Sequence, residues 1–311
     1  MAAKKKNKDI SDNTLAKRMS WKKDWKKNKT IYFLFIPLAV YLFIFSYIPM
    51  TGILMAFENY VPAKGLLKSK VPDQIIFSAR NKEHMEQVAA ETGVSYAADN
   101  RTCAKESACL VLAVKPQQFD TVIGEIRDAV TEEQIIISIA PGITIADLQK
   151  RFGKKCRIVR AMPNTPALVG EGMTGVCYDK ALFSDKEKQM IETLFTSFGR
   201  MTVVEEKLMD VVVCASGSSP AYVYMFIEAL ADSAVKYGIP RADAYKLVAQ
   251  TVLGSAKMVL ETGEHPGLLK DKVCSPGGTT IAGVAALEEY GMRNAVFKAT
   301  DACYAKCKGI Q

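Results

Sequence analysis

The run Val273-Cys274-Ser275-Pro276-Gly277-Gly278-Thr279-Thr280-Ile281-Ala282-Gly283 changes character half-way along. Pro276, Gly277 and Gly278 fit neither a helix interior nor a central strand, so they form a tight loop. From Ile281 onward the apolar residues Ile281, Val284, Ala285 and Leu287 recur at helical spacing. A glycine loop therefore opens a helix, with hydroxyls at Ser275, Thr279 and Thr280. The first turn of a helix carries free N–H groups and a partial positive charge, which suits a small anion such as a carboxylate. Glycines let that backbone approach a ligand closely. A helix capped by one of these hydroxyls after an ordinary turn is the competing reading.

The surrounding chain divides in two. From Ser219 the pattern is helical, with Val223, Phe226, Ile227, Leu230, Ala234 and Val235 on one face of a first helix. Leu247, Val248, Val252, Met258 and Val259 follow a face of a second. Gly238-Ile239-Pro240 separates the two and Gly263 ends the second. Both are too apolar to lie on a small surface alone, so they predict a helical domain that also pairs with another subunit.

Upstream, short apolar runs alternate with helical stretches. Strands are expected at 74–79, 94–97, 109–114, 134–140 and 156–162, with two more at 172–178 and 201–205. Helices are expected near 81–91, 117–129, 143–151 and 184–198. This alternation argues for a parallel α/β sheet. Turn residues stand at several strand ends, at Ser78–Asn81, Val114–Pro116, Ala140–Gly142 and Met162–Asn164. Ligands of open α/β sheets bind beyond the carboxyl ends of the strands, so these turns outline a cofactor crevice.

The chain has 311 residues, enough for two domains with real cores. Its net charge is +8, yet residues 1–30 hold eleven lysines and arginines against three aspartates, which accounts for the whole surplus. The remaining residues are neutral overall and give no electrostatic reason to expect nucleic acid. The eight cysteines form no Cys-x-x-Cys pair, and His84 and His265 lie far from them in sequence. No metal site is expected. Cys303 and Cys307 share a helix face and read as small packing residues. Unpaired, scattered cysteines suit a reducing cytoplasm.

Lys270-Asp271-Lys272-Val273-Cys274-Ser275-Pro276-Gly277-Gly278-Thr279-Thr280, followed by Ala282-Gly283-Val284-Ala285-Ala286-Leu287-Glu288, resembles the signature of pyrroline-5-carboxylate reductase. Leu112-Ala113-Val114-Lys115-Pro116-Gln117, Ser138-Ile139-Ala140-Pro141-Gly142-Ile143, Arg160-Ala161-Met162-Pro163-Asn164-Thr165-Pro166 and Ser216-Gly217-Ser218-Ser219-Pro220-Ala221-Tyr222 match further motifs of that family, in the same order, from about residue 73 to the end. The resemblance implies an oxidoreductase that transfers hydride from NADPH, with NADH as the alternative donor, to Δ1-pyrroline-5-carboxylate, giving L-proline. It implies that Ser275, Gly277, Gly278 and Thr279 hold the substrate carboxylate, that Thr280 bonds the ring nitrogen as the catalytic residue, and that Glu206 lines the site. Ala113, Val114, Lys115 and Pro116, with Ile139, Ala140 and Pro141, would border the nucleotide. Asn100 would contact the ribose region, and Ser78, Arg80 and Asn81 would read the adenosine 2′-phosphate. An arginine there suits NADP over NAD. A homodimer or higher homo-oligomer through the C-terminal helices is implied as well.

The N-terminal part departs from this pattern. The family begins with a strand, a Gly-x-Gly-x-x-Gly-like loop and a helix, and none of these precedes residue 74 here. The missing strand is the central one of a doubly wound sheet and the loop cradles the pyrophosphate, so weak NADPH binding is expected. In its place stand a lysine-rich tail at 1–30 containing Trp21 and Trp25, a charge-free run from Thr30 to Phe57, and a junction at 58–72. The run, taken as a helix over 31–57, is long enough to span a bilayer, so membrane contact through 1–57 is expected. Residues 15–65, with Tyr47-Ile48-Pro49-Met50 and Ala56-Phe57-Glu58-Asn59-Tyr60, resemble the start of a sugar-type ABC transporter permease.

The resulting expectation is a chimeric chain. A transmembrane-like helix precedes an incomplete Rossmann-like parallel sheet at 73–205 and an all-helical substrate and dimerisation domain at 206–311. One span after a basic N-terminus would export everything behind it, away from NADPH, so a working membrane-tethered reductase is not expected. A misjoined reading frame explains both halves more simply. The alternative function is a permease fragment fused to an inactive reductase body, anchored in the membrane instead of cytoplasmic.

Overall fold

The computed structural model describes residues 75–309. The tail, the charge-free run, the junction and the permease-like segment lie outside the described residues. So does most of the sequence in which the family's first strand and glycine loop were sought.

The α/β body contains seven strands among the described residues. They are β1 (Ile76–Phe77), β2 (Ser95–Tyr96), β3 (Cys109–Leu112), β4 (Ile135–Ser138), β5 (Arg157–Pro163), β6 (Gly172–Cys177) and β7 (Gly199–Val203). Between them lie α1 (Lys82–Thr92), α2 (Asn100–Glu106), α3 (Phe119–Ile126), α4 (Ile145–Phe152) and α5 (Asp185–Thr196). Local signals set these boundaries. Asn81 caps α1, and Gly93 ends it in the left-handed region. Thr144 with Asp147, and Ser184 with Glu187, form capping boxes at α4 and α5.

The strands fall into two sheets among the described residues. β1 and β2 pair in parallel, and β3-β4-β5-β6-β7 form a five-stranded sheet. The described pairing thus breaks between β1 and β3, the position at which a doubly wound sheet carries its first strand. β1 spans two residues, not the expected 74–79, and pairs with β2 on one side.

The expectation of a purely parallel sheet needs correction at β6. It runs antiparallel to β5, with Arg160 opposite Cys177 and Pro163 opposite Thr174. The connection between them holds only a 3-10 helix, Thr165–Val169, too short for the crossover that a parallel pair requires. β4 is buried along its whole length, as a strand covered on both faces should be. One core layer gathers Phe119, Ile136, Leu148 and Phe152, and the other gathers Ile137, Val159, Ile191 and Phe195.

The chain then turns helical. A 3-10 turn (Glu206–Leu208), α6 (Met209–Val212) and a π-helical turn (Val213–Gly217) lead into α7 (Ser219–Lys236). α8 (Arg241–Thr262), α9 (Pro266–Val273), α10 (Thr279–Glu289) and α11 (Met292–Cys307) follow. The core of these helices is small: Ala231, Ala244 and Val248 are buried. Met225, Leu247, Leu253, Leu260 and Phe297 are exposed. The stretch Glu206–Lys236 has the length and composition of a membrane span, and it is the only one that passes that test among the described residues. It is a different stretch of sequence from the 31–57 run.

Candidate active site

The parallel register of β3, β4 and β5 aligns their carboxyl ends on one edge, with Leu112 opposite Ser138 and Ser138 opposite Arg160. Ala113, Val114 and Lys115 follow β3, and Pro116 starts the 3-10 helix Pro116–Gln118. Ile139, Ala140 and Pro141 follow β4, and Ala140 is buried. The two loops are therefore neighbours on one rim, where an open α/β sheet binds its ligand.

Ser78 and Asn100 meet at the ends of β1 and β2. Ser78 Oγ donates to Asn100 Oδ1 at 2.7 Å, although 22 positions separate the residues. Asn100 Nδ2 donates to Glu125 Oε2 of α3 at 2.6 Å. Both bonds hold the Asn100 amide in one orientation. Glu125 had no sequence signal, because nothing local links it to residue 100. Asn81 is engaged locally, accepting from the His84 backbone at 3.2 Å, and Arg80 is exposed on the same loop.

Glu206 occupies a different place. Its Oε1 accepts from the Ile145 amide at 2.7 Å, at the start of α4, and lies 3.5 Å from Arg160 Nη1. Arg160 sits in mid-β5 with its side chain 5% exposed, and its Nη2 is 3.5 Å from Asp210 Oδ1. Asp210 also pairs with Lys308 of the chain's last turn, at 2.7 Å. Two carboxylates thus neutralise a buried guanidinium whose Nε has no partner. Asn164 forms a second joint: its Nδ2 donates to Ser216 at 3.2 Å and its Oδ1 accepts from the Met173 amide at 2.8 Å. A cleft of about 650 Å³, bordered by Ile145, Gln149, Tyr178, Val204 and Glu206, opens beside these groups. The cofactor-motif residues do not line it.

The glycine loop sits between α9 and α10. Gly277 has φ +68°, the left-handed region that favours glycine. A Cβ on Gly278 would run into Ser275 Oγ. Gly278 N donates to Ser275 O at 3.0 Å and closes the turn. Gly278 is the N-cap of α10, and no side chain caps that helix. The competing reading of a hydroxyl-capped helix therefore fails, and the amides of the first turn point outward as donors. Thr279 and Thr280 are the first two helical residues, exposed and half-buried respectively. The hydrogen bonds around this loop run between residues of 264–282. Among the described residues the loop is not hydrogen-bonded to Glu206 or to the loops after β3 and β4.

The C-terminal helices match the family model for pyrroline-5-carboxylate reductase dimerisation over residues 206–310. Residues 61–142 match the model of NADP oxidoreductase, coenzyme F420-dependent. The pyrroline-5-carboxylate reductase of Escherichia coli is 46% identical over 240 residues, covering 77% of this chain and 89% of the relative. The chain belongs to the pyrroline-5-carboxylate reductase family. Its relative in Arabidopsis thaliana is 39% identical over 239 residues, covering 76% of this chain and 86% of that protein. Among solved structures, the reductase of Coxiella burnetii superposes with a TM-score of 0.75 at 34% identity, covering 80% of this chain and 93% of that one. The reductase of Plasmodium falciparum, solved with NADP bound, gives 0.70 at 33% identity, covering 80% and 92%.

Proposed function

We propose that this chain reduces Δ1-pyrroline-5-carboxylate to L-proline with NADPH. The uncapped start of α10 behind the Ser275–Gly278 turn carries the reading. Its amides, with the Ser275 and Thr279 hydroxyls, suit a carboxylate. Thr280, one residue further on, donates its hydroxyl hydrogen toward the imine nitrogen and fixes the ring against that anchor. The Ser78–Asn100 pair and Arg80, beyond the ends of β1 and β2, fit the phosphorylated adenosine end of the cofactor. Ala113–Pro116 and Ile139–Pro141 fit its path along the rim. When bound, NADPH supplies the hydride to the C=N carbon, and the nitrogen takes up a proton as its π pair becomes a lone pair.

The exposed apolar faces of α7, α8 and α11 are supported as a subunit interface by the dimerisation match. That match also supports the division near residue 206. The membrane-anchored form rests on the sequence of 31–57 alone. Detergent dependence after lysis would reveal it.

The test is NADPH oxidation by the purified full chain with pyrroline-5-carboxylate. Turnover that falls about a hundredfold in Thr280→Ala supports the reading. If the full chain is silent, a strand–glycine-loop–helix is grafted before residue 73. Recovery would locate the defect in the nucleotide cradle, whereas continued silence with NADPH bound would refute the reductase reading.

A further inference from the structure

Three cysteines remote in sequence meet where the body joins the last helix. Cys214 lies in the π-helical turn, and Cys303 and Cys307 stand one turn apart on α11. Their Sγ atoms all lie within 4.8 Å of one another. Cys214 is buried, the other two are half-buried, and all three are free thiols. Ser218 Oγ lies 3.3 Å from Cys303 Sγ. Spacing gave no hint of this group, because 89 positions separate Cys214 from Cys303 and a metal-binding sequence is recognised by short intervals.

We propose that Cys214, Cys303 and Cys307 form a three-sulfur site for a thiophilic divalent ion such as Zn²⁺. Thiolates bound to zinc at ~2.3 Å stand about 3.8 Å apart, so the cluster would close on an ion through movements of under ~1 Å. Cys303 and Cys307, four residues apart on a helix, present both sulfurs to the same side. The Ser218 hydroxyl or a water completes a tetrahedron. Binding exchanges three S–H bonds for three S–metal bonds and releases the protons to solvent.

The surroundings suit such an exchange. Burial, and after it the neighbouring Cys303, raises the Cys214 thiol to about 12. Burial also raises Cys303, but hydrogen bonds from Ser218, Cys214 and Tyr222 outweigh it and hold that thiol below its ordinary value. The ion would staple α11 to the turn that continues from Glu206 through α6, and so stiffen the Glu206–Asp210–Lys308 network.

Cd²⁺ titration of the reduced full chain tests this through the thiolate-to-metal charge-transfer band. The expected result is one ion per chain, about three protons released per ion, and a melting temperature raised by Zn²⁺. Cys303→Ser and Cys307→Ser should each remove about a third of the band and weaken binding at least tenfold, whereas Cys109→Ser should change nothing. Cys307, half-buried near the end of α11, carries the test if Cys214→Ser fails to fold. A band unaffected by Cys303→Ser and Cys307→Ser would overturn the proposal. So would a disulfide among the three in cells alkylated at lysis.

Discussion

The α/β body and the C-terminal helices are both rich in apolar residues, yet they use them differently. The body encloses Phe119, Ile136, Ile137, Leu148 and Phe152 with almost no exposure. The helices from Ser219 onward bury Ala231, Ala244 and Val248 and leave Met225 and Phe297 about two-thirds exposed. The first region makes its core from its own layers. The second leaves much of its apolar surface uncovered within one chain, in the region that matches the dimerisation model. The glycine loop belongs to the second region, while the rim at the ends of β3 and β4 belongs to the first.

The largest expected effect falls on the body. Phe119→Ala should cost about 3–5 kcal/mol, because a full aromatic side chain leaves a packed layer. Denaturant unfolding should show this loss at every protein concentration. A loss that changed with concentration would break the distinction between the two regions.

Thr280→Ala should lower turnover about a hundredfold, the usual scale for removing one donor to a developing charge. Its thermal unfolding should stay within a degree or so of the parent. A strongly destabilised variant would show that the loop has a packing role as well.

Leu253→Ser with Leu260→Ser removes two exposed side chains seven residues apart on one face of α8. Sedimentation should show association weakened ten- to a hundredfold. The body's own unfolding should not move. Unchanged association would place the interface on another face.

The smallest effect concerns acid. Arg157 lies 2.5 Å from Glu187 and, with the Ser184 hydroxyl, holds that carboxyl at about 2, below its ordinary 4.5. A depressed carboxyl stabilises the fold fully above its unfolded value and loses this contribution as pH falls through its folded one. Glu187→Gln should therefore flatten the decline in stability between about pH 4.5 and 2. An acid limb as steep as the parent's would mean that the pair contributes nothing.

What the sequence revealed follows from how local each signal is. β4 was legible as a short apolar run, and α4 and α5 as helical stretches near 143–151 and 184–198, although the Thr144 and Ser184 caps that open them were not singled out. α2 was missed because it is short and polar, and its one marker is the Asp99 cap. The reversed β6 was missed because direction depends on a crossover, which the run Gly172–Cys177 does not itself encode. In the site, Ser78, Asn100 and Glu206 came from motif resemblance and Arg160 stood in a matched motif without a role, whereas Glu125, Asp210 and Lys308 carried no signal. Glu125, Arg160, Asp210 and Lys308 reach them only through tertiary structure. β1 was overextended because an apolar run states what could pair, not how many neighbours are present to pair with it.

The Asp210–Lys308 contact also bears on the order of synthesis. Arg160, Glu206 and Asp210 leave the ribosome well before Lys308, and bodies of this kind fold as they emerge. Until the last turn of α11 is made, one cation in the middle of β5 faces two anions. The final positive charge comes with Lys308 and closes that account only when α11 docks beside α6. A stop codon a few residues early would leave the nascent body intact in outline, with an uncompensated carboxylate at its joint and one fewer contact holding the closing helix in place.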